Sequence, residues 1–188
     1  GRGAMTNHWN DLENSDVILV MGGNPAENHP ISMRWVLKAK ARGAKLLCVD
    51  PRLTKTATQA DFYAPLRSGS DIAFLGGMIR YILERGLIQR DYVLNYTNAA
   101  FLVDESYSFD EDSGLFGGYD AQKRQYDKSQ WTYQTAAGEP KRDPTLQNPR
   151  CVYQLMKKHY ARYTLEKVSE VTGTPKESLE KIYQIYAS

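Results

Sequence analysis

The sequence predicts an α/β fold: an open parallel sheet flanked by helices, with an irregular insertion and a helical carboxyl-terminal part. Three observations carry this. Val17–Met21 and Lys45–Val49 are short apolar runs bounded by turn residues, as buried strands are. Between them, Ile31 to Arg42 reads as a helix, with Ile31, Trp35 and Ala39 along one face and Gly43 ending it. Two glycines, Gly22 and Gly23, follow the first run directly, where a strand hands its backbone to a ligand loop.

The later elements extend the pattern. Asp50-Pro51 ends the second strand, and a weaker third strand is expected over roughly Phe62 to Leu66. The run Ser68-Gly69-Ser70-Asp71 then opens a helix over Asp71 to Arg85, with Ile72, Leu75, Ile79 and Ile82 as its expected core face and Gly86 as its stop. Consecutive strands joined by helical crossovers imply a Rossmann-like parallel sheet. Ligands of such sheets sit at the carboxyl ends of the strands. Three loops land there: Gly22 to Pro30, Asp50 to Thr54, and Arg67 to Asp71.

From Asn98 to Pro149 the periodicity stops. This stretch is polar, aromatic and full of turn residues, too long for a simple connection and too varied for disorder. It reads as an irregular excursion over 99–149 with a short hairpin near Gln130 to Gln134. Helices then return. Arg150 to Arg162 carries Val152, Leu155, Met156 and His159 on one side, and Thr164 caps the next helix. Thr174 to Glu177 spells a capping box with Pro175 at the first helical position, and Leu179, Ile182, Tyr183 and Tyr186 share one face beyond it. These helices are expected to pack on the sheet. There are no internal repeats.

Composition bounds the function. A chain of 188 residues, 41% hydrophobic and 24% charged, suits one globular domain, here taken as 1–188. A net charge of +2 makes no electrostatic case for nucleic acid. The two cysteines, Cys48 and Cys151, form no C-x-x-C, so the chain alone builds no zinc or iron–sulfur cage. Cys48, inside an apolar run, is expected to be a buried small hydrophobe. No apolar run approaches the ~20 residues that span a bilayer. The chain starts at Gly1 without a signal peptide and is expected to be a piece of a longer protein.

The chemistry lies in the three loops. Gly22 and Gly23 open the first to close approach, and Asn24, Glu27 and Asn28 add polar side chains. A carboxylate such as Glu27 repels phosphate but accepts hydrogen bonds from a guanine edge or from ribose hydroxyls. Asp50 occupies the place where dinucleotide folds hold a ribose with an acid, and Arg52 suits phosphate. Gly69, Ser70 and Asp71 present a hydroxyl and a carboxylate at a helix start. Each loop also has a plainer reading: a strand-to-helix turn for the first, Asp50 capping a short helix over Pro51 to Ala57 for the second, and a helix cap by Ser70 or Asp71 for the third. His8, His29 and His159 have no metal-ligand spacing, and His159 is expected to be packed or on the surface. The acids from Asp104 to Asp112 do not match a calcium loop. No catalytic group and no metal ligand is expected within this chain.

The segments "GRGAMTNHW", "GGNPAENHP", "VDPRLTKTA", "YAPLRSGSDIAFL", "LFGGYD", "YDKSQW", "RDPTLQNPRCV" and "TGTP" together resemble the catalytic subunit of respiratory formate dehydrogenases, within the molybdopterin oxidoreductases. The likeness runs over nearly the whole chain. It implies a domain that binds one of two molybdopterin guanine dinucleotides around a molybdenum or tungsten ion. Gly22, Gly23, Asn24, Glu27 and Asn28 would lie along the dinucleotide, Asp50, Pro51 and Arg52 at its guanosine portion, with Gly69, Ser70 and Asp71 completing the pocket. Gly3 to Asn7 resembles a stretch close to the cofactor. The resemblance further implies a parent that oxidises formate in the periplasm, with a [4Fe–4S] cluster in another domain, an iron–sulfur electron-transfer subunit and a membrane cytochrome subunit as partners. The metal-ligating selenocysteine or cysteine of the family has no counterpart here. A nitrate-reductase-type oxidoreductase and a stand-alone nucleotide-binding module are the alternatives.

Overall fold

A 3₁₀ turn at Trp9–Asn14 leads into β1 (Val17–Met21), a short helix α1 (Pro25–Asn28) and α2 (Pro30–Ala41). The chain returns as β2 (Lys45–Val49) and β3 (Phe62–Ala64) before α3 (Asp71–Arg85). The computed structural model describes residues 5–188. They fall into two compact units, one of residues 5–78 with 163–188 and one of residues 79–162.

In the first unit the three strands form one parallel sheet in the order β1-β2-β3. Val17 lies opposite Lys45 and Met21 opposite Val49, while Leu47 pairs with Phe62 and Val49 with Ala64. Leu46, Leu47, Cys48 and Val49 have no exposed surface, because β2 is bonded on both sides and covered on both faces. β3 ends before the expected Leu66, since Pro65 has no N–H to continue a ladder. On one face Ile18 and Leu46 pack with Met33, Val36 and Ala39 of α2. The buried side of α2 is therefore not the expected line through Ile31 and Trp35. Ile31 is 78% exposed, and Trp35 is covered by the ammonium of Lys38, 4.2 Å from its ring.

The expected face of α3 is also corrected. Ile72 is 77% exposed, whereas Phe74 and Met78 are buried. The helix is apolar nearly all round, so spacing alone does not choose its inward side. Two glycines do. A Cβ on Gly77 would lie 2.6 Å from the Tyr183 hydroxyl oxygen and 2.9 Å from a Val168 methyl, and one on Gly76 would lie 2.7 Å from the Tyr163 ring.

α3 runs on into the second unit, followed by α4 (Arg90–Tyr96), two hairpins and α5 (Val152–Tyr160). The hairpins are β4 (Tyr119–Asp120) with β5 (Gln125–Tyr126), and β6 (Thr135–Ala136) with β7 (Glu139–Pro140). They flank the expected position at Gln130 to Gln134, where Tyr133 makes only a single bridge to Val103. α5, expected on the sheet, belongs instead to this unit, where it packs with Ala99, Ala100 and Leu146. The chain closes in the first unit with α6 (Leu165–Thr172) and α7 (Lys176–Tyr186). Thr164 caps α6 as expected, its hydroxyl accepting from the Lys167 N–H at 3.2 Å. Gly173 ends α6 with φ +72°. α7 packs on β1 and β3. The expected capping box at its start does not form. Thr174 is buried and donates its hydroxyl to the Pro65 carbonyl at 2.6 Å, so α7 begins at Lys176 behind Pro175.

Candidate functional site

All three expected loops stand at the carboxyl ends of the parallel strands. The first leaves β1 through Gly22, whose φ of +67° is a left-handed conformation that favours glycine. Its N–H donates to the Val49 carbonyl at 3.1 Å, which ties the loop to the end of β2. A Cβ at Gly22 would meet nothing within 4 Å, so open space lies in front of the strand. Gly23 has neither a positive φ nor a close neighbour.

Asn24 turns inward. Its Oδ1 accepts from the Thr56 hydroxyl at 2.9 Å and from the Thr56 N–H at 3.2 Å, and its Nδ2 donates to a carboxylate oxygen of Glu27. Glu27 is otherwise exposed. Asn28 is exposed, and its side chain makes no hydrogen bond among the described residues. His29 meets Trp9 edge to face at 5.5 Å.

The second loop begins at Asp50. Its Oδ1 accepts from the Arg52 N–H at 2.9 Å, closing a local turn instead of the short helix that was the plainer expectation. The Tyr63 hydroxyl donates to the Asp50 carbonyl at 2.9 Å and holds the residue from β3. Pro51 and Arg52 are exposed. The chain then dives inward at the buried pair Thr54 and Thr56. Cys48, fully buried beneath, has its thiol pushed up by burial and so stays neutral, as expected of a small core residue.

The third loop is pinned from α6. The Arg67 N–H donates to the Thr172 carbonyl at 2.7 Å, and its guanidinium donates to the Glu170 and Val171 carbonyls at 2.5 and 3.2 Å. Gly69 has φ +81° with open space at its Cβ position. Ser70 is buried, and its hydroxyl donates back to the Arg67 carbonyl. Its own carbonyl receives the first helical bonds, from Ala73 and Phe74. Ser70 thus sits at the start of α3 with its side chain turned inward, while Asp71 is exposed.

Sequence reading gives Thr56, Tyr63 and Arg67 no part of their own and gives Thr174 a helix cap, yet all four hold these loops from behind. The first lies inside "VDPRLTKTA" and the last inside "TGTP", but a threonine or tyrosine carries no periodic signal of a tertiary bond. Of the stretch Gly3 to Asn7, Gly3 and Ala4 lie outside the described residues.

The arrangement offers binding groups. Glu27, Asp50 and Asp71 offer carboxylate acceptors, Asn28 and Arg52 offer donors, and Gly22 and Gly69 leave the backbone approachable. Among the described residues no group of three His, Cys, Asp or Glu side chains could hold a metal. A cavity of about 760 Å³ lies wholly within the second unit, walled by Phe109, Phe116, Trp131, Tyr133, Met156 and His159. It contains none of the loop residues. Its arginine, Arg150, is spent on the carbonyls of Val103, Asp104 and Tyr107. Its histidine is packed as expected, stacked on Phe116 at 5.8 Å, with burial and then the charge of Arg162 holding its pKa below the ordinary value.

Known proteins resemble this chain in fold and in sequence. The fold resembles acetylene hydratase from Pelobacter acetylenicus, with a TM-score of 0.59 at 24% identity over 93% of this chain and 17% of that one. The sequence is 62% identical to the formate dehydrogenase subunit alpha of Megalodesulfovibrio gigas and 53% identical to the nitrate-inducible formate dehydrogenase major subunit of Escherichia coli, in each case over 100% of this chain. The chain spans 18% of the length of each of these two relatives. Against the F420-dependent formate dehydrogenase 1 subunit alpha of Methanococcus maripaludis the identity is 40%, over 52% of this chain and 14% of that one. Residues 1–103, from the first ligand loop's approach to the far side of α4, match the family described as molybdopterin oxidoreductase. The chain belongs to the molybdopterin oxidoreductase family.

Proposed function

We propose that this chain is the domain of a formate dehydrogenase catalytic subunit that holds the nucleotide end of one molybdopterin guanine dinucleotide. Family membership implies a molybdopterin cofactor. One observation supports the guanine dinucleotide form: at the ends of three parallel strands, carboxylates and open glycine backbone face outward together. Such loops suit N–H and hydroxyl donors, which a guanosine has, and leave room for a phosphate chain beside Gly22. Asp50 keeps Oδ2 for ribose hydroxyls while Oδ1 holds its own turn. Glu27 is steadied by Asn24 on one oxygen and offers the other to the guanine N1–H and amine. Arg52 meets phosphate or the guanosine rim, and the open backbone at Gly69 and the Asp71 carboxylate close the far side.

Bound, the cofactor supplies the molybdenum or tungsten centre at which formate becomes carbon dioxide, a proton and two electrons. The residues of this chain bind and orient it and move no proton themselves. Formate as substrate is favoured over nitrate by the likeness to formate dehydrogenase subunits, which covers the whole chain, excursion included, at overall identities of 62% and 53%. A [4Fe–4S] cluster elsewhere in the subunit, an iron–sulfur partner subunit, a membrane cytochrome subunit and a periplasmic location belong to the same proposal and rest on the resemblance.

The test is Asp50→Ala and Glu27→Ala in the full-length subunit. Both variants are expected to fold and to carry less metal and less guanine nucleotide per polypeptide. Full occupancy in both would overturn the assignment of these loops. Turnover of nitrate but not formate by the wild-type enzyme would overturn the substrate.

A further inference from the structure

Thr56 has no exposed surface, yet it bonds to a loop about 30 residues away in sequence. Its hydroxyl accepts from the Ala26 N–H at 3.0 Å and donates to Asn24 Oδ1 at 2.9 Å. Its own N–H donates to the same Oδ1 at 3.2 Å. Every hydrogen-bonding group at this junction is then determined. The hydroxyl has one proton, and the Ala26 N–H can only donate, so the proton goes to Asn24. Two donors on Oδ1 settle which way the Asn24 amide points, and that places its NH₂ on Glu27.

We propose that Thr56 is a positioning residue of the dinucleotide site, which locks the Asn24–Glu27 segment of the first loop to the second loop. The inference rests on the reading that these loops hold the nucleotide. It assigns Asn24 a new part. Its Oδ1 accepts twice within the chain and one of its two amide N–H groups goes to Glu27, so it acts on the ligand through Glu27 as well as through the N–H that is left. The ordering also has a direction. Thr56 orients Asn24, Asn24 orients the Glu27 carboxylate, and the remaining Glu27 oxygen faces solvent, where an N–H donor of the base would sit. Without the hydroxyl, the Ala26 N–H loses its acceptor in a part-buried site and Asn24 keeps one donor of two. The loop then samples other amide orientations, and Glu27 loses its fixed aim. A site that must be rebuilt at each binding event releases its ligand faster.

The experiment uses the full-length holoenzyme and follows loss of guanine nucleotide and metal from folded protein, well below its melting temperature. Thr56→Val keeps the shape and removes the hydroxyl, and release is expected to quicken roughly tenfold. Thr56→Ser restores the hydroxyl and is expected to return release to within about twofold of wild type. Asn24→Asp keeps the acceptor for Thr56 but sets a carboxylate against Glu27, and it too is expected to speed release. Leu179→Ala, in the fully buried core of α7, controls for general destabilisation. If it speeds release as much as Thr56→Val at an equal fall in melting temperature, the positioning role is overturned. Asp50→Ala separates the two readings. Wild-type release in Thr56→Val with fast release in Asp50→Ala would sink the role of Thr56 and leave the site standing. Wild-type release in both would remove the site itself. Should Thr56→Val fail to fold, Asn24→Asp decides: release at the wild-type rate overturns the chain from Thr56 to Glu27.

Discussion

In the first unit, four consecutive residues of β2 are fully buried, and three of them, Leu47, Cys48 and Val49, pair with strands on both sides. In the second unit, no strand among the described residues is longer than two residues, and side chains do the work of a ladder. Asp104, Asp110, Asp120, Asp127 and Asp143 each accept a bond from the N–H two residues on. Arg150 reaches back to three carbonyls more than 40 residues away, Arg142 to the Leu94 carbonyl, and Arg90 to that of Pro144 at 2.7 Å. One unit satisfies its backbone by repetition and hides aliphatic side chains. The other satisfies its backbone one residue at a time and sets a cluster of half-buried rings, among them Phe109, Phe116, Tyr126 and Trp131, beside a small buried cluster around Ala99, Ala100 and Leu146. The difference teaches where each is vulnerable. A sheet fails through its core. An irregular unit fails through single polar residues that have no substitutes.

The largest effect should come from the sheet. Leu47→Ala empties a site with no exposed surface and is expected to cost the first unit ~3 kcal/mol. Amide exchange at Leu46, Cys48 and Val49 should accelerate while Val103 and Val152 keep their protection. Arg150→Met should show the reverse pattern. It leaves carbonyls of Val103, Asp104 and Tyr107 without their cationic donor, at about 2 kcal/mol, with protection lost at Val103 and Val152 first. If both variants loosen both regions equally, the two units are one cooperative block and the contrast is broken.

The smallest effect sharpens the same contrast through pH. Asp143 accepts first from the Thr145 hydroxyl and then from backbone N–H groups of Asn148, Thr145 and Gln147, which hold its pKa at about 2 instead of 3.8. The folded value is the lower one, so the ionised carboxylate favours folding. Its contribution is complete above the ordinary carboxylate range and is lost as pH falls from about 4 toward about 2. With Trp9→Phe and Trp35→Phe, the emission of Trp131 reports the second unit alone. Asp143→Asn in that background should flatten the acid limb of Trp131 emission. An unchanged limb would assign the acid sensitivity to other carboxylates.

What the sequence determined alone was everything that repeats or that one residue type enforces. β1 and β2 appear at their expected bounds, because a continuous apolar run between turn residues has few other uses. The placement of the three candidate loops follows from that, since parallel strands must present their carboxyl ends together. Gly22 and Gly69 were legible because a positive φ selects glycine. Tertiary structure decided the rest. Spacing predicts Ile72 in the core, yet it is 77% exposed, because a helix apolar nearly all round shows no preferred face until Tyr183 and Val168 close on Gly77. The motif predicts Thr174 as a helix cap, and it instead holds Pro65, since a hydroxyl goes to whichever carbonyl the fold brings near. Thr56 went unmarked for the same reason. Its partners, Asn24 and Ala26, become neighbours only when β1 and β2 lie side by side, and a bond made across that distance leaves no period to read.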